Sequence, residues 1–455
     1  MSSTVCAVST PPGVGGIAVA RVSGPDAFRI VNKIWKGKSL EKCDSHTAHL
    51  GTILDSESRP LDQAVVTLFR APRSFTGEDT VEISVHGSTY VQRELLNSLI
   101  NSGASLAQPG EFTRRAYLSG NLGLTEAEAV ADIIASTSRA AHSIAMNQMR
   151  GSVSKKLEKL HDQLLELASL LELELDFSEE DVEFASREKL MTIARDIQFE
   201  VNRLYRSFAS GNAIKNGIPV ALIGQTNAGK SSLLNTLIGD QKAIVSNIHG
   251  TTRDVIEDTC EIGDYLFRFM DTAGLRDTTD EIEAIGISRS HQAMKKAQIV
   301  ILLTDVTSPM PQEKVAEIIE QISPDQKLIA AVNKTDLALP DEYIAELRSQ
   351  LPADTPVIPL SAATGEGIDN LCLIITTLVT PESQQVTITN ARHAEALHNA
   401  SDSITRVITA LESNLSGDLI ALDIRETLSH LSSISGNITS EDILQSIFSR
   451  FCIGK

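Results

Sequence analysis

The chain has 455 residues, 42% hydrophobic and 22% charged, which at about 100–200 residues per domain predicts several domains, each with its own core. Lys+Arg number 40 and Asp+Glu 59, a formal net charge of −19, which excludes a bulk cationic field as the means of holding nucleic acid. Residues 1–120 carry 12 basic and 11 acidic side chains, so any contact with a polyanion has to be local, and this third of the chain repels one least.

Cys6, Cys43, Cys260, Cys372 and Cys452 are scattered and form no CxxC pair, which argues against a disulfide framework or a zinc site. The N-terminal residues lack the basic and apolar regions of a signal peptide. No apolar run approaches the roughly 20 residues that span a bilayer. A cytoplasmic protein with no membrane partner is expected.

In chain order, residues 16–22, 62–69 and 80–86 read as strands, the last with strict period-two alternation, in a mixed α/β segment punctuated by Gly and Pro. From Leu124 the pattern is helical. Val153, Leu157, Leu160, Leu164, Leu167, Leu171 and Leu175 share one helix face. Leu171 to Glu183 holds seven acids in 13 residues and reads as a solvated helix end rather than a metal site. Residues 220–223, 299–303 and 328–332 are almost continuously apolar, as strands of a parallel sheet covered on both faces are. After Pro381 the helical pattern returns, with Leu397, Ala400, Ile404, Val407 and Leu411 on one face. The fold class expected is α/β plus α: a P-loop domain of parallel sheet and flanking helices, inserted into a helical domain. The expected segments are 1–120, 121–215, 216–380 and 381–455.

Gly224-Gln-Thr-Asn-Ala-Gly-Lys-Ser231 matches G-x-x-x-x-G-K-[ST] between an apolar strand and a helix, the context that motif needs. Its amides and helix N-terminus suit phosphates, Lys230 the β- and γ-phosphates, and Ser231 a Mg²⁺ ion. Further segments follow in the order a GTPase requires. Gly250, Thr251 and Thr252 offer a hydroxyl for Mg²⁺. Asp271, Thr272, Ala273 and Gly274 follow a strand; there the carboxylate suits water-mediated Mg²⁺ contact and the glycine amide suits the γ-phosphate. In Asn333-Lys334-Thr335-Asp336 the last carboxylate can accept from the N1–H and 2-amino group of guanine, a donor pair that adenine lacks. Ser361, Ala362 and Ala363 place amides for guanine O6. Together these segments define GTP as the nucleotide.

Leu275 follows Gly274 and cannot orient water, so an acid between Asp277 and Glu283 is expected to do so, with a cation other than arginine offsetting charge. Asn227, within the phosphate loop, reads equally well as an ion ligand or as a loop-stabilising residue.

With these residues placed, the whole chain resembles the MnmE (TrmE) family of tRNA-modification GTPases. The resemblance rests on Thr10–Gly16 with Arg21, Ser74–Asp79 with Glu82 and His86-Gly87, Pro109–Arg114, Thr125–Asp132, Asn227–Ser232, Gly250–Asp254 and the terminal Phe451-Cys-Ile-Gly-Lys455. It implies an N-terminal α+β domain that resembles tetrahydrofolate-binding domains and dimerises, followed by a helical domain with the GTPase inserted. It also implies a homodimer working in a heterotetramer with an FAD-dependent partner, MnmG. Together they add an aminomethyl or carboxymethylaminomethyl group to C5 of the wobble uridine of certain tRNAs, drawing carbon from a 5,10-methylene- or 5-formyl-tetrahydrofolate.

By the same resemblance, K⁺ sits on Asn227, Ser246, Ile248 and Thr251, within a loop that includes Asn247, His249 and Gly250. Mg²⁺ is held by Ser231 and Thr252, beside Ala228, Gly229 and Ser232 of the phosphate loop. Glu283 orients the attacking water. Arg21, Glu82, Asn121 and Lys455 serve the folate. Many relatives carry lysine where this chain has Asn121 and an acid where it has Gly123. Outside the resemblance, Arg21 and Glu82 read as a strand-end salt bridge, and Cys452 reads as a structural thiol or a nucleophile.

The competing classes are a ribosome-assembly GTPase and a membrane-remodelling GTPase. The first would need an RNA-binding domain, such as a GXXG loop in a KH-like setting, and the second a basic amphipathic helix. Neither is evident in the sequence.

Overall fold

The structure, a computed structural model, describes residues 3–176, 187–240, 258–270, 292–379, 386–413, 415–436, 441–449 and 451–454. Two compact units divide it. One comprises Met1–Ile134, Asn147–Val201 and Ala396–Lys455, and the other Ala135–Met146 and Asn202–Glu395.

The first unit holds a seven-stranded sheet built from β1 (Val5–Val8), β2 (Gly15–Ser23), β3 (Trp35–Lys36), β4 (Thr47–Leu54), β5 (Pro60–Phe69), β6 (Thr80–Gly87) and β7 (Ser105–Leu106). The strand order is β3-β4-β5-β6-β2-β1-β7. Neighbours are antiparallel except β1 and β7. Period-two alternation sends Ala18, Ala20 and Val22 of β2, with Val81, Ile83 and Val85 of β6, to one face. That face is covered by α1 (Ala27–Ile34), through Phe28 and Val31, and by α2 (Thr89–Asn101), through Leu95 and Leu99. Burying each of these leucines stabilises the fold by about 1.5–3 kcal/mol. The intervening residues face the other way, among them Arg21 and Glu82. So do Leu50 and Val65, which are Cα partners 67% and 39% exposed, and Ile17, 69% exposed.

The helices of this unit come from both sides of the nucleotide-binding segment. Val153, Leu157, Leu160, Leu164, Leu167 and Leu171 of the helix Ser152–Asp176 are buried, as their spacing predicts. That helix packs on Gly417–Ser435, whose Ile420, Ile424 and Leu431 are buried. Leu397, Ala400, Ile404, Val407 and Leu411 are likewise buried. A P-loop domain is therefore inserted within a helical one, as expected. At the end of the chain Phe448 and Phe451 join Leu124 and Ala127 in a small core.

The second unit is built on a six-stranded sheet in the order β13-β12-β11-β8-β10-β9. Its strands are β8 (Ile218–Gly224), β9 (Asp258–Ile262), β10 (Tyr265–Met270), β11 (Ile299–Asp305), β12 (Lys327–Asn333) and β13 (Val357–Pro359). All pair in parallel except the edge strand β9. β11 is buried along its whole length, with Ile299, Ile301 and Leu303 entering one core and Leu302 another. Covering on both faces explains the unbroken apolar runs in the sequence.

Candidate nucleotide site and N-terminal side-chain cluster

In a parallel sheet, ligands sit beyond the carboxyl ends of the strands. β8, β11, β12 and β13 bring Gly224, Asp305, Asn333 and Ser361 to that edge. β8 leads through residues 225–229 into the helix α3 (Lys230–Asp240), as the motif predicts. Two residues of the turn have positive φ, Asn227 at 64° and Gly229 at 96°. A Cβ on Gly229 would lie 2.1 Å from Asn333 Nδ2, so only glycine lets the loop close against β12.

Asn333 holds three pieces of the site together. Its buried Nδ2 donates to Ala228 O at 2.8 Å, and its Oδ1 accepts from the Ala362 amide at 2.9 Å. Thr236 Oγ1 of α3 adds a bond to Ala362 O at 2.9 Å. Phosphate loop, Asn333–Asp336 and Ser361–Ala363 thus form one fixed surface.

Lys230 Nζ donates to the Gly224 and Gln225 carbonyls at 2.8 Å each, and burial pushes its ammonium below the ordinary value. A half-buried cation held, among the described residues, by loop carbonyls is a fitting partner for phosphate oxygens. Asn227 is exposed at the loop's surface, and on the first turn of α3 Ser231 is half-buried and Ser232 exposed.

Asp336 is exposed beyond β12, Thr335 N donates to Leu360 O at 3.3 Å, and Lys334 has a left-handed φ of 64°. Lys334 Nζ lies 2.5 Å from Asp305 Oδ2, at the end of β11. Burial disfavours the Asp305 carboxylate, but hydrogen bonds from Lys334 and Thr307 outweigh this and hold its pKa below the usual carboxylate value. Asp305→Asn leaves Lys334 without its counter-charge beside the base-binding turn. It should weaken GDP binding by about tenfold, on the scale of one partly exposed charged hydrogen bond, with little change in kcat. Fluorescent-GDP titration measures it, and an unaltered Kd would remove Asp305 from the site.

Ser246, Asn247, Ile248, His249, Gly250, Thr251, Thr252, Asp271, Thr272, Ala273, Gly274, Glu283 and Lys455 lie outside the described residues.

A second constellation sits on the N-terminal sheet. Arg21 and Glu82 are Cα partners across β2 and β6, inside the ladder rather than at strand ends. Arg21 Nε and Nη2 donate to Glu82 Oε1 at 3.0 and 2.7 Å. The guanidinium lies 5.4 Å from the ring centroids of Phe75 and Phe112. Asn121 Nδ2 donates to Ser74 O at 3.0 Å, fastening the loop that carries Phe75. The chain end is docked nearby: Ser9 Oγ donates to Gly454 O at 3.0 Å, and Gly110 N to Cys452 O at 3.4 Å. Cys452 is exposed.

Sequence reasoning missed Asp305, Thr236, Ser9, Phe75 and Phe112. Asp305 leaves a signal as an acid closing a strand otherwise apolar but for Thr304, and Phe75 and Phe112 stand within the Ser74–Asp79 and Pro109–Arg114 segments singled out above.

The comparisons agree with this arrangement. Residues 4–121 match the model described as GTP-binding protein TrmE N-terminus, and residues 124–452 match the MnmE helical domain. The chain is 50% identical to the tRNA modification GTPase MnmE of Parabacteroides distasonis, over 100% of both chains. It is 47% identical to that of Porphyromonas gingivalis, over 99% of this chain and 98% of the relative. With that of Cytophaga hutchinsonii the identity is 46%, over 100% and 98%. Among solved structures, the G domain of the T. maritima FeoB iron transporter is 28% identical over 36% of this chain and 99% of that one, with a TM-score of 0.26.

Fold and site define a P-loop GTP hydrolase joined to a helical domain and an N-terminal α+β domain. The chain belongs to the MnmE family of tRNA modification GTPases. No described helix is long and apolar enough to cross a membrane.

Proposed function

We propose that the chain is a potassium-stimulated GTPase whose opening and closing drives modification of C5 of the wobble uridine of certain tRNAs. It acts in the cytoplasm as a homodimer with an FAD-dependent partner, MnmG, and the group added is aminomethyl or carboxymethylaminomethyl. The observation that carries this reading is the fixed surface built around Asn333, which joins a phosphate loop to a guanine-reading turn in a chain that also bears the Arg21–Glu82 cluster.

Lys230 and the loop amides hold the β- and γ-phosphates. Asp336 accepts from the guanine edge, with Ser361, Ala362 and Ala363 near O6. Ser231 and Thr252 hold Mg²⁺. Asn227, Ser246, Ile248 and Thr251 hold K⁺ between paired GTPase domains. These cations offset the negative charge that develops on the phosphates. Glu283 orients water through a second water. The exposed apolar residues Ile17, Leu50 and Val65 supply a sheet face for pairing of N-terminal domains.

Arg21, Glu82, Asn121 and Lys455 serve a tetrahydrofolate. Both Arg21 contacts use Glu82 Oε1, so Oε2 can accept from the N–H and amino donors of a pterin. Asn121 adds no charge, unlike the lysine of many relatives.

Mass analysis of wobble uridines tests the function: they should lose the modification in cells lacking this protein and regain it on complementation. Calorimetry with 5-formyltetrahydrofolate tests the Arg21–Glu82 cluster. We expect binding that Glu82→Ala weakens by about tenfold or more, the scale of a charge-assisted hydrogen bond. Folded wild-type protein giving no heat would end the folate assignment.

A further inference from the structure

The edge of the seven-stranded sheet carries a feature that neither the nucleotide site nor the Arg21–Glu82 cluster uses. β3 pairs only with β4 and ends the strand order. Around it, residues 29–42 carry Arg29, Lys33, Lys36, Lys38 and Lys42 against a single acid, Glu41. All five cations are exposed. Arg29 pairs with Asp26 at 3.0 Å, and Lys33 Nζ donates to Ser102 O at 2.7 Å. Among the described residues no carboxylate forms an ion pair with Lys36, Lys38 or Lys42.

The segment is held in one shape from beneath. Trp35, 7% exposed, donates Nε1–H to Lys38 O at 3.0 Å. Its ring fills the space where a Cβ on Gly51 would lie 2.4 Å from it and one on Gly37 2.7 Å. Asn32 Oδ1 accepts from Leu40 N at 3.0 Å. Arg70 stacks 4.6 Å from the Phe28 ring centroid and donates to Glu41 O at 2.8 Å and Cys43 O at 3.0 Å. A surface already fixed loses little side-chain and loop entropy on binding.

Lysines on a sheet edge discourage strand pairing. Here the cations extend past the strand, onto α1 and the helical turn Leu40–Lys42. Nor is solubility their reason, because a net charge of −19 already provides it and these residues reduce it. The geometry points to a contact for the phosphate backbone of tRNA along this edge. This rests on the tRNA reading above and adds where the RNA touches the chain.

The test uses the full-length protein and a tRNA transcript, followed by anisotropy across a KCl series. Trp35, the chain's single tryptophan, lies under the loop and serves as an internal reporter. Wild type should bind with a change in Trp35 emission. K36E/K38E/K42E should lose about tenfold or more in affinity near 0.1 M salt. Its slope of log K against log salt should flatten by about two, since each phosphate contact contributes about 0.7–0.9. K36R/K38R/K42R should keep both. K155E/K159E/K314E makes the same change in net charge at exposed sites elsewhere and should have the smaller effect. Tryptophan emission without RNA and unchanged GTP turnover report that each variant is folded.

The proposal is overturned if the first variant binds like wild type, if the distant variant loses as much, or if wild type binds no tRNA. It is equally overturned if K36E/K38E/K42E abolishes modification in cells with its tRNA slope unchanged, which would assign the edge to an acidic protein. Failure of wild type to restore modification in deleted cells sinks the functional reading instead.

Discussion

Asp336→Asn should exchange the base that the enzyme prefers, losing GTP and gaining XTP. The carboxylate offers only acceptors, and guanine presents two donors, N1–H and the 2-amino group. An asparagine amide offers one acceptor and one donor, which suits xanthine, where an oxygen replaces the 2-amino group. Two charge-assisted hydrogen bonds at about 1.5–3 kcal/mol each place the loss for GTP at roughly a hundredfold or more. Asp336 is exposed at the end of β12, so the substitution strains no core. Competition between GTP and XTP for the site measures the exchange. A variant that still selects GTP would show that guanine is read elsewhere.

Asn227 carries the second large effect, and its backbone dictates how to test it. With φ at 64° it occupies a left-handed conformation that costs most L-residues about 1–2 kcal/mol and asparagine less. Asn227→Ala therefore mixes lost ligation with backbone strain. Asn227→Gly keeps the conformation and removes the whole side-chain amide, so lost ligation is tested without backbone strain. If Asn227 ligates K⁺, both variants should lose the excess of GTP turnover in KCl over NaCl. The loss should reach about a hundredfold, below the 10³–10⁵ that an arginine finger supplies in other GTPases. An Asn227→Gly enzyme that still turns over faster in KCl would remove the side chain as an ion ligand and leave the loop-stabilising reading.

The two readings that the sequence left open at Asn227, ion ligand and loop-stabilising residue, stay open, and the structure adds the left-handed φ that decides which variant can test them. At Arg21 and Glu82 the salt bridge expected from the residues exists, in register across β2 and β6. Its contacts fall on one carboxylate oxygen, which keeps the other able to serve a ligand.

The phosphate loop, the buried strands and the amphipathic helices were legible in the sequence because each is a local pattern. Glycine spacing encodes a loop whose amides converge. Unbroken apolar runs encode strands covered on both faces, as β11 is, and spacings of three and four encode one buried helix stripe, as in Ser152–Asp176. By itself the sequence determined that the chain holds GTP on a parallel sheet, and its motifs named the family.

The tertiary structure alone decided which distant residues meet. Lys334 with Asp305, Asn333 with Ala228 and Ala362, Ser9 with Gly454, and Trp35 beneath Lys38 and Gly51 are such meetings. Most of them join residues far apart in sequence, and none has a periodicity. Strand order and register bring these groups together, and those depend on how the whole sheet packs.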